Sequence, residues 1–452
     1  LDGVMSAASA RLAGGIIIAG ALSGGVGIAL TLLLHWLQHI SFGYSEATFL
    51  IGVQEASFGR RVGVLALAGA IAGFGWWAIR TCMGPSVGVT EAVQRADGRM
   101  PFWRSQADAV LQVVVVALGA SLGREGAPRE SAAATTSWLA DRAGLTAEHR
   151  RLLVAGAGGA ALAAVYGVPL AGTLFTLEVL LVSVAPIAVL VAVATSVIAV
   201  TIAWTVLPST PLYHLPPGPA SSSVFVFAAL GGPLFGLAGL GTARLFRWAK
   251  RARPRGAWLV AATVTSFTLI GVAAIAYPHL LGNGKGALEV AVTGNDGWFF
   301  LLTLALLKPL ATAMILRAGA AGGVLTPTLA TGALIGAGLA AVWNDAWSFG
   351  GRAGLGATAL VGAAAVYAVA GRAPATAVAL TWELAHPPVW VVAAVALSVA
   401  TAVLTTHPWR SRMDESGWPF GRGLQVAKSR DRDVGAPPGD NVRATMDSCR
   451  PG

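Results

Sequence analysis

Charge is scarce in this chain. Of its 452 residues only 12% are Asp, Glu, Lys or Arg, about half the share of an average soluble domain, and a water-soluble fold cannot cover itself with so few. Cysteine is scarcer still: Cys82 and Cys449 offer neither a disulfide framework nor metal-ligand spacing. His35 and His39 share a helix face at i, i+4 spacing but have no acidic or thiol partner nearby, so no metal site and no cofactor is expected. The sequence contains no His-Glu-x-x-His, and its seven histidines fall mostly at the ends of apolar runs, which argues against an intramembrane enzyme.

What the chain has is apolar length. Hydrophobic residues make up 55% of it and the mean hydropathy is +0.68. Runs at residues 12–34, 62–79, 185–206, 224–240, 257–276, 299–315 and 389–404 approach the roughly 20 residues that a spanning helix needs. The expectation is an all-α, polytopic membrane protein. The 57 glycines suit it, because small residues let membrane helices approach closely and free the backbone where a site needs it. The net charge of +10 does not call for a nucleic acid, since the basic residues gather beside hydrophobic runs. One acid-free cluster is Arg244, Arg247, Lys250, Arg251, Arg253 and Arg255. Another, Arg410, Arg412, Arg422, Lys428, Arg430 and Arg432, lies near the end of the chain. By the positive-inside rule both face the cytoplasm, which suggests a multi-pass protein of a bacterial inner membrane with its C-terminus inside. The 15 tryptophans fall mostly near run ends, as interfacial anchors do. The first run is too long and glycine-rich for a signal peptide. The domain expectation is a transmembrane unit over 1–410, with repeat halves at about 12–206 and 224–410, then a polar, disordered tail over 411–452 too short for a regulatory domain.

Internal repetition points to mechanism. Pro169-Leu-Ala-Gly-Thr-Leu-Phe-Thr-Leu-Glu178 is echoed by Pro374-Ala-Thr-Ala-Val-Ala-Leu-Thr-Trp-Glu383, and each copy follows a Gly/Ala-rich helix, over 152–165 and 357–369. Each half also carries an earlier glycine-rich break ending in Pro, at 123–128 and 322–327. Transporters built from two such halves hold their substrate near the midplane, between the repeats. In the first break, Ser121-Leu-Gly-Arg-Glu-Gly-Ala-Pro128, Arg124, Glu125 and Gly126 stand where a half-helix begins. An ionised Glu inside a membrane is costly and by default functional, and the free N–H groups of a half-helix attract anions. A carboxylate there can occupy an anion site itself and leave it when protonated. The second break, Gly322-Gly-Val-Leu-Thr-Pro327, frees the backbone amides of Val324 and Leu325 to cradle an anion without a full charge. A third, Gly84-Pro-Ser-Val-Gly88, adds a hydroxyl, at Ser86.

These elements resemble the CLC family of chloride channels and anion/proton antiporters. The Gly123-Arg-Glu-Gly126 and Gly323-Val-Leu-Thr-Pro327 elements, the two Pro-to-Glu helices and the Gly282-Asn-Gly-Lys-Gly286 turn occur in the family's order, over residues 12 to 410. The resemblance implies an inverted repeat of tilted, broken helices and a homodimer with one anion pathway in each subunit. It casts Glu125 as the gating glutamate, Val324 and Leu325 as amide donors, Glu178 as a structural glutamate, and Arg124 and Gly126 as flanks of the anion site. Three departures stand out. The family's Gly-Ser-Gly-Ile-Pro motif is replaced by Gly84-Pro-Ser-Val-Gly88, which places either Pro85 or Ser86 at the selectivity position, the former resembling nitrate-preferring members. The inner tyrosine has no clear counterpart, and the internal proton-transfer glutamate expected after Glu178 is Val179. The reading is a voltage- or pH-gated chloride channel, with a chloride/proton antiporter, a nitrate-preferring transporter and, more distantly, a carrier for an organic solute as alternatives.

Overall fold

The protein, seen in a computed structural model, is described over residues 2–415 apart from 46, 47, 96, 217, 252, 295 and 347–350. The tail expected to be disordered lies outside the described residues from 416 on. The chain up to Thr406 forms one compact unit and the remainder a second. All regular elements among the described residues are helical. The first series is α1 (Asp2–Phe42), α2 (Phe49–Glu55), α3 (Phe58–Cys82), α4 (Val89–Gln94), α5 (Phe102–Ala117), α6 (Gly126–Arg142), α7 (Ala147–Tyr166), α8 (Pro169–Phe175) and α9 (Pro186–Ala203). The second is α10 (Ser222–Arg251), α11 (Ala257–Ala276), α12 (Lys285–Thr293), α13 (Trp298–Arg317), α14 (Leu325–Ala346), α15 (Leu355–Ala370), α16 (Pro374–Ala385) and α17 (Val389–Glu415).

Eight of these helices are long and apolar enough to cross a membrane. Seven coincide with the apolar runs of the sequence, and the eighth is α14, which the sequence offers only as a half-helix over 328–340. Its composition of Gly, Ala and Thr holds its hydropathy down to 1.6, and 78% of it is buried inside the protein. A helix surrounded by protein has no need of the long side chains that lipid selects. The outermost spans are the opposite case: α3 and α11 are each 33% buried and meet along small residues. A Cβ added to Gly69 would stand 2.8 Å from the Thr263 carbonyl oxygen, and one on Gly73 would stand 2.5 Å from Thr263 Oγ1. No larger residue permits that approach.

The two series repeat one another. In both, a long lipid-facing helix, α3 or α11, leads through a glycine turn, 84–88 or 282–286, to a short helix, then to α5 or α13 and a broken segment that opens α6 or α14. A gapless Gly/Ala-rich helix and a Pro-to-Glu helix follow, α7 with α8 and α15 with α16. The halves touch at their breaks, where Gly123 and Gly323 form an isolated antiparallel bridge: the Gly123 amide donates to the Gly323 carbonyl at 2.7 Å, and the Gly323 amide donates to the Gly123 carbonyl at 3.1 Å. Non-helical backbone at membrane depth must find partners within the protein. Here each break satisfies the other.

Buried cations tie down the preceding turns. Arg104 on α5 pairs with Asp108 at 2.8 Å and donates to the carbonyls of Ile79 and Gly84 at 2.7 and 2.8 Å. Asp108 also accepts from the buried Trp76 indole, so this tryptophan is a core residue rather than an interfacial anchor. On α13 the fully buried Lys308 donates to the carbonyls of Leu280 and Gly282 at 2.8 and 2.9 Å. An ammonium inside a bundle must be matched by several oxygens, and these hold the glycine turn in place.

Candidate functional site: a carboxylate seated between two broken helices

Glu125 is completely buried and stands immediately before α6. Its side chain does not cap its own helix but crosses to the other half. Oε1 accepts from the Leu325 amide at 2.8 Å, and Oε2 accepts from Thr326 Oγ1 at 3.1 Å and from the Tyr166 hydroxyl at 3.2 Å. The Tyr166 and Thr326 hydroxyl oxygens also lie 2.7 Å apart, so either can donate to the other in place of Glu125. Leu325 and Thr326 open α14, whose first amides have no intrahelical partners, while Tyr166 ends α7 just before the left-handed Gly167. The chain therefore assembles one neutral amide and two hydroxyls from two elements, α14 and α7, around a single carboxylate.

The seat is closely fitted. A Cβ on Gly123 would fall 2.2 Å from Glu125 Oε1, and one on Gly323 2.1 Å from it. Both glycines of the bridge are thus needed to admit the carboxylate. Among the described residues no cation forms an ion pair with Glu125. Neutral donors with the positive end of a helix dipole hold an anion without the tight pairing that a lysine or arginine would impose, so one anion can be exchanged for another.

The expected site residues fall into three groups. Leu325 supplies its amide to the seat, and the Val324 amide makes no hydrogen bond to another described residue. Gly126 lies at the crossing, where a Cβ would come within 2.7 Å of Gln112 Oε1 and 3.0 Å of the Gly323 nitrogen. Arg124 turns away: its guanidinium stacks over the Tyr166 ring at 4.9 Å and donates to the Val165 carbonyl at 3.3 Å. There it lines a cavity of about 540 Å³ with Lys285, Glu289, His35, His39 and His214. The histidine pair thus borders an entrance. Pro85 and Ser86 occupy an exposed turn between α3 and α4, and Ser86 has no hydrogen bond to the seat. That turn also spells Gly-x-Ser-x-Gly, the pattern of a hydrolase nucleophile. With no histidine hydrogen-bonded to Ser86 among the described residues, the turn lacks the base such a nucleophile needs.

Glu178 and Val179 lie in a π-helical turn, Thr176–Leu181, that prolongs α8. Glu178 accepts from the Ala375 and Thr376 amides at 3.1 and 2.9 Å and from Thr376 Oγ1 at 2.7 Å. Glu383, at the end of α16, returns the arrangement by accepting from the Leu170 and Ala171 amides at 2.9 and 2.7 Å. Each Pro-to-Glu helix caps the other, which gives the repeated Pro and Glu one physical reason: Pro suits the first helical position, and a carboxylate satisfies the free amides behind it.

A second cavity, of about 750 Å³, is lined by Arg80, Lys250, Arg251, Arg253 and Arg255 with Trp77 and Thr81. It lies at the end of α3, whereas the start of α3 is fastened beside the first cavity, with Arg60 donating to the Ser41 and Ile40 carbonyls at 2.7 Å. The 25 residues of α3 put about 37 Å between these ends, and Glu125 belongs to neither cavity lining. Reasoning from the sequence did not find Tyr166 or Thr326. The signal for Tyr166 was its rarity, one of five tyrosines in the chain, at the end of an otherwise small-residue helix.

An inverted repeat of broken helices, with a carboxylate seated among neutral anion donors at the crossing and basic entrances at both ends, defines a membrane protein built to pass anions. The chain belongs to the voltage gated chloride channel family, whose model matches residues 68–407. It is similar to the voltage-gated ClC-type chloride channel ClcB of Shigella flexneri, 29% identical over 328 residues, covering 68% of this chain and 73% of that one. It is also similar to the H(+)/Cl(−) exchange transporter ClcA of Citrobacter koseri, 27% identical over 407 residues, covering 81% and 79%. The fold is that of a slow cyanobacterial Cl⁻/H⁺ antiporter, with a TM-score of 0.76 at 18% identity over 94% of this chain and 99% of the other.

Proposed function

We propose that the protein carries chloride across a bacterial inner membrane as a homodimer with one pathway in each subunit, and that Glu125 is its gate. The observation that carries the gate is the three-donor seat: the amide and hydroxyls that hold the carboxylate are the donors that a halide would use. Protonation removes the charge and turns one acceptor oxygen into a donor, so the seat then favours the anion and flux rises as pH falls. Val324 and Leu325 supply amides to the incoming anion, Arg124 draws it into the outer cavity, and Gly126 admits the close crossing. A channel is the preferred form because Val179 has no titratable group. The second reading, chloride/proton exchange, is favoured by the similarity to an exchange transporter. In liposomes containing the protein, chloride efflux should rise as pH is lowered, and Glu125→Gln should hold efflux high at every pH. Persisting pH dependence in Glu125→Gln would remove Glu125 from the gate, and no chloride flux from wild type would remove the transport reading.

A further inference from the structure

Arg129 lies four residues beyond Glu125, one turn into α6 and about 40° around it. Its guanidinium stacks 4.3 Å from the centre of the Phe175 ring, Phe175 being buried at the end of α8. Nε is sealed from solvent and has no hydrogen-bond partner. The two Nη groups have none among the described residues either, yet they are not among the sealed atoms, and the residue keeps partial exposure. The fork therefore opens onto accessible space. Tyr367, Glu125, Glu130 and Lys250 are charged or titratable groups near enough to be felt by it, and among the described residues none of them forms a hydrogen bond or ion pair with it. Glu125 is held by its three donors, and Glu130 accepts from Gln112 at 3.0 Å.

Guanidinium is always protonated, and a half-buried guanidinium with an unpaired fork offers a small anion a charge-assisted site. The buried cations Arg104 and Lys308 are supplied with partners: Arg104 has Asp108 and two carbonyls, and Lys308 has its turn carbonyls. Arg129 has a ring face and an empty fork. We infer that Arg129 is a further anion-binding group, inside the bundle next to the gate, whose free N–H fork takes a small planar oxyanion such as nitrate or bicarbonate in preference to a halide. Two parallel N–H groups match the two-oxygen edge of a trigonal oxyanion, whereas a spherical halide uses them poorly. Phe175 fixes the plane of the fork and leaves its edge free. The site deepens the anion-transport reading and rests on it, adding a selectivity element that the neutral seat of Glu125 does not contain.

The test is calorimetric titration of sodium nitrate and of sodium chloride into the purified full chain, for wild type, Arg129→Gln and Arg129→Lys. Chloride efflux from liposomes is measured on the same proteins. The wild type should bind nitrate more tightly than chloride. Arg129→Gln should lose about tenfold or more in nitrate affinity. Arg129→Lys keeps the charge but not the fork, so it should weaken nitrate by several-fold while holding chloride within about twofold. If Arg129→Gln does not fold, the lysine variant alone decides. Nitrate affinity unchanged in Arg129→Lys overturns the inference, and so does an Arg129→Gln that alters only the pH dependence of efflux, which would make Arg129 a partner of Glu125 rather than of an oxyanion. Failure of the gate reading is seen separately, as wild-type efflux that does not respond to pH.

Discussion

In the proposed gate, the Tyr166 hydroxyl and the missing methyl group of Gly323 both bear on whether the carboxylate of Glu125 stays in its seat. Tyr166 donates to Glu125 Oε2 at 3.2 Å and is joined to Thr326 at 2.7 Å, so Tyr166→Phe removes one of three donors and leaves the ring under Arg124 in place. A net hydrogen bond of about 0.5–1.5 kcal/mol is a shift of about two- to tenfold in the gate equilibrium. Tyr166→Phe should therefore raise chloride efflux at neutral pH by that factor and leave efflux in acid near wild type; unchanged efflux at neutral pH would show that the hydroxyl does not hold the gate shut. Gly323→Ala acts by volume instead. Its Cβ would come 2.1 Å from Oε1 and 2.4 Å from the carboxyl carbon, the far end of a flexible side chain, so the cheap response is for the carboxylate to leave. That variant should show raised efflux at neutral pH with a flattened pH profile although it retains Glu125, and a wild-type profile would refute the fitted seat. Glu125 itself was legible in the sequence because an acid flanked by glycines in an apolar chain has few bland explanations. Its partners were not, since Tyr166 and Thr326 lie 41 and 201 residues away from it and only folding brings them together.

At the scale of elements, the legible part was the repetition and the illegible part was what the repeated residues touch. The two Pro-to-Glu segments are visible side by side in the sequence, yet nothing in either says that Glu178 serves α16 and Glu383 serves α8. Likewise α14 hides from a hydropathy reading because burial inside protein, rather than lipid, surrounds it. The exchange of caps makes α8 and α16 one mechanical unit. Glu383→Gln keeps one carbonyl acceptor but gives up the charge and the second acceptor oxygen, leaving the Leu170 or Ala171 amide of α8 without its acceptor. The expected cost is about 1–3 kcal/mol, read as a lowered midpoint of thermal unfolding in detergent. Chloride selectivity should not change, since Glu383 is not among the groups around Glu125. Unaltered unfolding would mean that water or lipid headgroups already reach these amides.

Across the whole molecule, basic residues border both entrances while the seat between them is neutral. Such a distribution concentrates anions at each mouth, but it works against protons. A proton leaving Glu125 needs titratable groups or ordered water to cross the interior, and the two nearby carboxylates are committed elsewhere. Glu178 is engaged by two amides and a hydroxyl of α16. Glu130 is bonded to Gln112 and lies roughly 140° around α6 from Glu125. Val179, next to Glu178 in the π-helical turn, has nothing to titrate. Phe175, one turn before Val179, carries the guanidinium of Arg129 on its face, and a fixed cation repels a migrating proton. The expected outcome is weak or absent coupling: in proteoliposomes an imposed chloride gradient should drive little uphill proton movement, and the reversal potential should follow chloride alone at any pH gradient. A reversal potential displaced from that of chloride by the proton gradient would require a water-filled route past Arg129, and with it the exchanger reading would replace the channel.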